Sequence, residues 1–253
     1  MSRPAGPNKR SLAWSYSNTR DKPSAIDKLN FKGPITSVSN WEAWYPAELK
    51  HRLAFRPMCH GKDRINDPNW KNVENTTKDS VIHFFNEPER ANTTPAEAAQ
   101  LWCQHMVPLR KRNNKIVSPS CASDPAGTNW LHAFMDLVKD VSPDYVGVHW
   151  YGERSADMIK YLQDIHKKYP NKKIIVSEWA CIARDGRKVV DFTVDMCNWL
   201  DKTDWIFEHA LFGATLKPAD NFVSVYAQLM NPDGSWTPLM RWYMNDQPMK
   251  KPA

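Results

Sequence analysis

The chain has 253 residues, with 34 lysines and arginines against 28 aspartates and glutamates and a pI near 9.0. This length suits one domain with a substantial core, and no linker, low-complexity run or repeat divides it, so we expect one domain over residues 1–253. The basic residues are scattered, no nucleic-acid-binding module is recognisable, and no stretch approaches the roughly 18 apolar residues that span a bilayer, so we expect neither nucleic acid nor a membrane as a partner.

The five cysteines are too few and too widely spaced for a disulfide scaffold, and no pair has the spacing of a zinc site. We expect most of them to be buried small side chains, with at least one unpaired thiol. Twelve tryptophans and eight tyrosines are more than a core of this size needs. Flat aromatic faces are typical of clefts that stack on sugar rings, although large aromatics also pack well in cores.

Hydrophobic periodicity predicts eight short strands separated by loops or helical segments. The predicted strands are 12–16, 35–40, 53–58, 80–85, 115–118, 144–149, 173–177 and 205–210. The clearest helix begins with a capping box at Thr94 to Glu97, and further helices are predicted over 129–140, 156–169 and 187–200. This alternation over about 250 residues predicts an α/β fold, a (β/α)8 TIM barrel. Prolines predict reduced or irregular helices in its first third, and a doubly wound open sheet is the alternative.

In a barrel, the residues at the carboxyl ends of the strands carry the chemistry. The fourth predicted strand leads into "HFFNEP", which contains Glu87, and the seventh leads into "IVSEW", which contains Glu178. Two facing carboxyls can hydrolyse a glycosidic bond, one as proton donor and the other as nucleophile, and retaining enzymes hold them about 5–5.5 Å apart. Either motif alone is also a plausible polar turn, but their joint position at two strand ends favours catalysis.

Three further residues near predicted strand ends have side chains that suit sugar binding or orientation of the nucleophile. Asn86 can hydrogen-bond a sugar 2-hydroxyl, Tyr151 can orient the nucleophile through its hydroxyl, and Trp179 can form a sugar platform. As a proton donor, Glu87 needs a pKa raised by an apolar setting or by the second carboxylate. Phe84, Phe85 and Pro88 are the expected apolar setting.

With these residues the sequence resembles clan A glycoside hydrolases, and most closely glycoside hydrolase family 128, the small-barrel β-1,3-glucanases. The matching stretches run in order along nearly the whole chain: "NKRSLAWSY", "FFNEPE" with "TPAEAAQLWCQHMVPL", "SPS", "NWLHAFM", "DYVGVHWYG", "IIVSEWAC" and "FEHALFG". The family commonly has Asp where this chain has Glu89, and an aromatic residue where it has Leu211. These departures leave the subgroup open.

The resemblance implies that Glu87 is the general acid/base and Glu178 the nucleophile. It places three residues at supporting active-site positions: Asn86, His149 and Tyr151. The candidate sugar-contacting aromatics are Trp41, Trp44, Trp150 and Trp179, with core packing an equal alternative for Trp150. Two further candidates to line the cleft are His60 and Trp70.

The activity implied by the resemblance is retaining hydrolysis of laminarin-type β-1,3-glucan, with endo cleavage favoured over exo cleavage. No metal or organic cofactor is expected. The expected partners are β-1,3-glucan and its oligosaccharides, and the protein is expected to be a monomer that acts outside the cell or in the cell wall. The alternatives are a glucan-binding protein with little or no hydrolytic activity, an exo-acting glucanase, and a β-1,4 or mixed-linkage glycanase of the same clan.

Overall fold

The structure, a computed structural model, describes residues 8–218 and 221–251. Eight parallel strands form a barrel, which confirms the predicted (β/α)8 architecture over the open-sheet alternative. The strands are β1 (Arg10–Ala13), β2 (Ile35–Ser39), β3 (Ala54–Phe55), β4 (Val81–His83), β5 (Lys115–Val117), β6 (Tyr145–Gly152), β7 (Lys173–Cys181) and β8 (Ile206–Leu211). Each of the eight overlaps its predicted segment.

The hydrogen-bonded strand order runs from β3 through β2, β1, β8, β7, β6 and β5 to β4. Strands β3 and β4 therefore meet without pairing along their lengths. The ring is closed there by three backbone hydrogen bonds just beyond β3: His83 N to Pro57 O at 2.9 Å, Cys59 N to His83 O at 3.2 Å and Asn86 N to His60 O at 2.9 Å. We call this stretch, residues 57–60 against 83–86, the β3/β4 junction.

Seven α-helices lie in the described part of the chain. They are α1 (Tyr16–Asp21), α2 (Pro68–Thr76), α3 (Pro95–Leu101), α4 (Pro125–Leu137), α5 (Ser155–Lys168), α6 (Gly186–Lys202) and α7 (Pro238–Asn245). Only α1 and α2 lie in the first third, where short 3-10 turns replace longer helices. The expectation of reduced helices there is confirmed.

Helix α3 begins as predicted and ends earlier than its apolar pattern suggests. Thr94 and Glu97 form both halves of the capping box. The α-helical pattern stops at Leu101, and the chain continues as a π turn and then as a 3-10 turn through Arg112. Pro108 has no N–H to donate to the residue four positions back and its ring crowds that carbonyl, so the α-helical ladder cannot continue.

Strands β6 and β7 are longer than predicted, and this decides which side chains face the barrel axis. In β6, alternation places His149 and Tyr151 on the inner face and Trp150 on the outer face. In β7, the register shifts so that Val148 pairs with Val176 but His149 pairs with Glu178. The extra residue is Ser177, whose hydroxyl donates to Ser120 Oγ at 2.9 Å. This β-bulge turns Glu178 toward the inner face beside His149.

The predicted state of the cysteines agrees with the structure. Four of the five are buried, Cys103 is exposed, and none forms a disulfide. Within residues 8–218 and 221–251, we find no helix with the length and apolarity required to cross a membrane.

Candidate active site

The two predicted catalytic carboxyls lie on opposite sides of one imidazole ring at the carboxyl ends of the strands. His149 Nδ1 is 2.9 Å from Glu87 Oε1, and His149 Nε2 is 3.4 Å from Glu178 Oε1. His149 itself is buried, whereas Glu87 is partly exposed. Residues from strands four, six and seven thus converge on one site, as expected for a barrel of this kind.

Two further donors fix Glu178. Trp41 Nε1 donates to Glu178 Oε1 at 2.6 Å, and the Tyr151 hydroxyl donates to Glu178 Oε2 at 2.6 Å. Each carboxylate oxygen therefore accepts one short hydrogen bond, which holds the carboxylate plane in one orientation. The structure brings together six of the predicted site residues: Trp41, Asn86, Glu87, His149, Tyr151 and Glu178.

The backbone is strained at two of these residues. Glu87 has φ of 39° and Trp41 has φ of 62°, in the left-handed region that non-glycine residues seldom adopt. Glu87 is held there by its N–H, which donates to Ser120 O at 2.9 Å. At Trp41, the Asn40 side chain bridges the turn by accepting from Glu42 N and donating to the Trp44 carbonyl. Such strain persists where surrounding bonds enforce it, often at functional sites.

The loop that carries Glu87 is tied to the loop after β5. Glu89 Oε1 accepts from Ala122 N at 2.8 Å, so the longer Glu at this departure from the family pattern still joins the two loops. Arg90 is ion-paired with Asp124, and its Nε lies 3.5 Å from Glu87 Oε2. Asp124 is itself the N-cap of α4 and accepts from Gly127 N. Arg90 is therefore held by a fixed partner beside the acid.

The electrostatic setting of Glu87 differs from the sequence-based expectation. Its partial burial favours a raised pKa, but the hydrogen bond from His149 and the charges of His149 and Arg90 outweigh burial and lower the pKa of Glu87. The expected raised pKa is thus wrong for the free protein, since the phenylalanines face the core while cationic groups face the carboxylate. Burial alone would lower the pKa of His149, but Glu178 and Glu87 raise it. The pKa values of Glu87 and His149 therefore depend on each other.

The cleft around these groups has two lobes that share Glu178 and Phe212. The Glu87 lobe, a cavity of about 500 Å³, is lined by Glu87, Arg90, Asp124, Tyr151, Phe222 and Val223. The Asn86 lobe, a cavity of about 410 Å³, is lined by Tyr16, Trp41, His60, Arg64, Asn86 and Thr215. Glu178 lies where the lobes meet, so a chain of sugars lying through both would pass directly over it.

Three of the predicted sugar-contacting tryptophans lie elsewhere. Trp150 is 5% exposed and stacks on Phe192 of α6, with ring centroids 5.4 Å apart. Trp179 is 0% exposed and packs between Phe192 and His209. Trp150 points outward because β6 continues past its predicted end and its side chains keep alternating. Trp179 points outward because the bulge at Ser177 places Glu178 on the inner face of β7 and the next side chain on the outer face. These two assignments are corrected to core packing.

Trp44 and Trp70 also lie outside the cleft, whereas His60 lies in it. Trp44 lines a separate groove together with β3 and the segment before β4. Trp70 is fully buried under α2, so it is a core residue. His60 lines the Asn86 lobe, and its carbonyl accepts the hydrogen bond from Asn86 N.

Several cleft residues were not identified from the sequence. Arg90 lies two residues after the Asn-Glu-Pro motif. The signal that could have identified it is its position three residues after Glu87 in a turn, a spacing that brings the two side chains together. Phe212 and Phe222 follow β8 in a loop whose course the periodicity does not determine, and Tyr16 is the first residue of α1, which the periodicity did not predict. Phe212 contacts both Trp41 and Tyr151 edge-on, so it is part of the aromatic wall beside Glu178.

One buried cluster has side chains of the kind that bind metals. Ligand atoms of Cys197, Asp201 and His209 lie within 4.8 Å of one another. Asp201, however, already accepts from Arg10 Nη2 at 2.8 Å and lies 3.0 Å from His209 Nε2. The Arg10 guanidinium thus supplies the positive charge that this cluster requires, and none of its three residues lines either cleft lobe.

A barrel with two glutamates facing each other at the carboxyl ends of its strands has the architecture of a barrel glycosidase. Residues 11–243 match the family model described as glycosyl hydrolase catalytic core. A crystal structure of a subgroup VI exo-β-1,3-glucanase from Aureobasidium namibiae is 52% identical, with a TM-score of 0.95 over 99% of this chain and 100% of that one. The chain belongs to glycoside hydrolase family 128.

Two further relatives are similar to this chain at lower sequence identity. A subgroup IV endo-β-1,3-glucanase from Lentinula edodes is 22% identical, with a TM-score of 0.78 over 93% of this chain and 99% of that one, and shares the fold. Alkali-sensitive linkage protein 1 of Schizosaccharomyces pombe (strain 972 / ATCC 24843) is 31% identical over 109 residues. That match covers 42% of this chain and 20% of the length of the yeast protein.

Proposed function

We propose that the protein hydrolyses β-1,3-glucan with retention of anomeric configuration, with Glu178 as nucleophile and Glu87 as general acid/base. The observation that carries this proposal is the arrangement of Glu87, His149 and Glu178, in which one imidazole separates two carboxylates at the meeting point of the cleft lobes. Membership of a glucanase family supports the substrate class.

The first step is attack by Glu178 on the anomeric carbon. The hydrogen bonds from Trp41 and Tyr151 hold the carboxylate in position for in-line attack. As the carbon–oxygen bond to the leaving sugar breaks, Glu87 protonates that oxygen, and a covalent glycosyl-enzyme remains. His149 Nδ1, 2.9 Å from Glu87, shares the proton that Glu87 must deliver.

In the second step Glu87, now ionised, accepts a proton from water. The water attacks the anomeric carbon from the face that the leaving group has vacated and displaces Glu178, which restores both carboxyls and gives a product of unchanged configuration. The lowered pKa of Glu87 in the free protein suits this base role. The acid role requires that substrate binding weaken the contacts that lower this pKa.

We further propose cleavage from a chain end, as distinct from the internal cleavage that the sequence favoured. The support is the 52% identical relative named as an exo-β-1,3-glucanase, which aligns over nearly the whole chain. A time course on laminarin tests this proposal. One product that accumulates steadily from the start supports exo cleavage, whereas early mixed oligosaccharides contradict it.

The catalytic assignment is tested with Glu178→Gln and Glu87→Ala. Glu178→Gln is expected to abolish release of reducing sugar while the far-UV circular dichroism stays that of the parent. Glu87→Ala is expected to cleave β-laminaribiosyl fluoride, which needs no acid, and to yield a β-glycosyl azide when azide is added. Glu153→Gln, a change at an exposed carboxyl beyond the end of β6, is the matched control. An α-configured azide product, or full activity of Glu178→Gln, contradicts the assignment.

The alternative of a glucan-binding protein without hydrolytic activity is less well supported. Binding alone requires neither the two carboxylates on either side of His149 nor the strained backbone at Glu87. Incubation with laminarin separates the two functions, because a binding protein leaves the chain-length distribution unchanged.

A further inference from the structure

Phe222 is an apolar side chain at an exposed position in the cleft. It is 53% exposed and lines the Glu87 lobe, with its ring 5.6 Å from the Tyr151 ring at an interplanar angle of 62°. A half-exposed phenyl ring at the mouth of a polar cavity gains free energy when an apolar surface covers it. The C–H face of a pyranose ring is such a surface.

The backbone that carries Phe222 is held by one side chain from another loop. Arg184, between β7 and α6, donates to three consecutive carbonyls: Asn221, Phe222 at 3.1 Å and Val223 at 3.0 Å. A guanidinium has several donors in a fixed plane, so a single arginine can hold a loop in one conformation. The phenyl ring is therefore preorganised over the lobe, which lowers the entropy cost of binding.

The positions of the catalytic groups determine which end of the substrate enters the Glu87 lobe. Among the lobe-lining residues, Glu87 faces only this lobe, and an acid must contact the oxygen of the leaving sugar. Asn86 faces only the other lobe, where its amide can contact the 2-hydroxyl of the sugar that forms the glycosyl-enzyme. The leaving-group side of the scissile bond thus lies in the Glu87 lobe.

We propose that Phe222, positioned by Arg184, is the stacking platform for the glucan unit on the leaving-group side of the scissile bond. This inference rests on the proposed function and adds a specificity-determining residue to it. The same platform binds the acceptor sugar when a second glucan chain takes the place of water in the second step. Phe222 therefore affects how the glycosyl-enzyme partitions between hydrolysis and transfer.

The test measures the activity of Phe222→Ala on two substrates. Laminarihexaose has sugars on both sides of the bond, and kcat/KM on it is expected to fall roughly three- to tenfold, the range for loss of one aromatic stacking contact. β-Laminaribiosyl fluoride has no sugar on the leaving-group side, so the rate of fluoride release is expected to be unchanged. With laminaribiose added as acceptor, the ratio of transfer product to hydrolysis product is expected to fall.

Three further variants show whether the effect is specific to the Phe222 ring and its position. Tyr226→Ala removes an aromatic ring that is 55% exposed near Phe222 in the sequence but does not line the cleft, and it is expected to leave all three readouts unchanged. Phe222→Trp is expected to restore activity on laminarihexaose. Arg184→Ala is expected to lower it, with no further loss when combined with Phe222→Ala.

The proposal is overturned if Phe222→Ala slows fluoride release as much as hexaose cleavage, if it changes neither rate, or if Tyr226→Ala has the same effect. These outcomes require an active parent protein. A parent protein that releases neither fluoride nor shorter glucans contradicts the proposed function instead, so the two failures are distinguishable.

Discussion

Glu87 has a different partner on each carboxylate oxygen. Oε1 faces His149 and Oε2 faces Arg90, and Arg90 is in turn paired with Asp124. The two neighbours favour the ionised form of Glu87 in the free protein, which is the form that the proposed second step requires and the proposed first step does not. Arg90 is solvent-exposed along part of its length, so an incoming sugar can displace it from Glu87.

Removal of Arg90 is expected to change the pH profile in a defined direction. Arg90 lowers the pKa of Glu87, whereas Asp124 raises it. In Arg90→Ala the arginine charge is gone and the Asp124 charge is unpaired, so the pKa of Glu87 rises. Since kcat/KM requires the protonated acid, its alkaline limb is expected to move to higher pH. Measurement of kcat/KM on laminarihexaose over pH checks this.

Lys160→Ala is the control for this pH profile. Lys160 is exposed on α5, where it pairs with Asp164, and it lines neither cleft lobe, so its loss should leave the alkaline limb in place. An alkaline limb that stays fixed or moves to lower pH in Arg90→Ala would contradict the assigned role of Arg90.

The sequence was sufficient to identify Glu87 and Glu178 as facing residues, because both are polar residues next to apolar runs that parallel strands bring to one end of a barrel. It was not sufficient to identify Phe222 or Arg184. Their relation depends on two loops that meet only in the folded chain, and loop courses leave no periodic signal. The lowered pKa of Glu87 was missed for the same reason, since it depends on Arg90 and His149.

Among the elements, β6 and β7 show how strand length controls the site. From the apolar runs, β6 is predicted to end at His149 and β7 at Ser177. In the structure β6 continues to Gly152 and β7 to Cys181. Along β6 the side chains alternate, so Trp150 faces away from the inward-facing His149 and Tyr151. In β7 the bulge at Ser177 puts Glu178 on the inner face and Trp179 on the outer face. For this reason, Trp150 and Trp179 pack under α6 although their sequence neighbours line the cleft.

The core assignment of Trp150 gives a stability prediction. Trp150→Ala is expected to lower the free energy of unfolding by about 3–5 kcal/mol, because it removes a large ring between β6 and α6 and leaves a cavity. Its KM for laminarihexaose is expected to stay unchanged at temperatures where the variant is folded. Urea denaturation and steady-state kinetics measure the two effects, and Trp150→Phe provides a milder change at the same position.

Trp41→Phe is the contrasting variant. It removes the Nε1 hydrogen bond to Glu178 and keeps an aromatic ring against Phe212, so it should lower kcat with little change in stability. If Trp150→Ala instead raised KM while its unfolding free energy matched that of the parent, the core assignment of Trp150 would be wrong and the original sugar-contact assignment would stand.

At the scale of the whole molecule, the lower interior of the barrel contains polar groups. Arg56 and Glu208 form a salt bridge of 2.8 Å across it, and both are largely buried. His83 is buried nearby, and neither ring nitrogen has a hydrogen-bond partner among the described residues. Burial lowers the pKa of His83 from 6.5 to about 4, with Glu208 raising it and Arg56 and His149 lowering it further.

This histidine makes stability depend on pH. Below pH 6.5 the unfolded chain binds a proton at His83 that the folded chain does not bind until about pH 4, so stability falls as the pH is lowered through that window. The full effect is at most about 3 kcal/mol, from the size of the shift. His209, whose pKa is also lowered by burial, acts in the same direction.

His83→Gln isolates the contribution of His83. The variant is expected to be less stable than the parent at neutral pH, where a buried amide replaces a fitted ring, but to lose less stability between pH 6.5 and 4. Urea denaturation at a series of pH values measures the slope. Parallel pH dependences of parent and variant would show that His83 binds its proton equally well in the folded and unfolded chains.

The β3/β4 junction has a consequence for how the molecule fails on heating. Among the described strands, β3 and β4 are the neighbours with no paired residues between them. Three backbone hydrogen bonds at the junction join them, and one of these ties Asn86 to His60, which both line the Asn86 lobe. Local opening should therefore begin here, with faster amide hydrogen exchange at residues 58–60 than in β6 and β7. Because opening separates His60 from Asn86 in the cleft proposed to bind glucan, thermal inactivation should precede loss of the barrel as a whole.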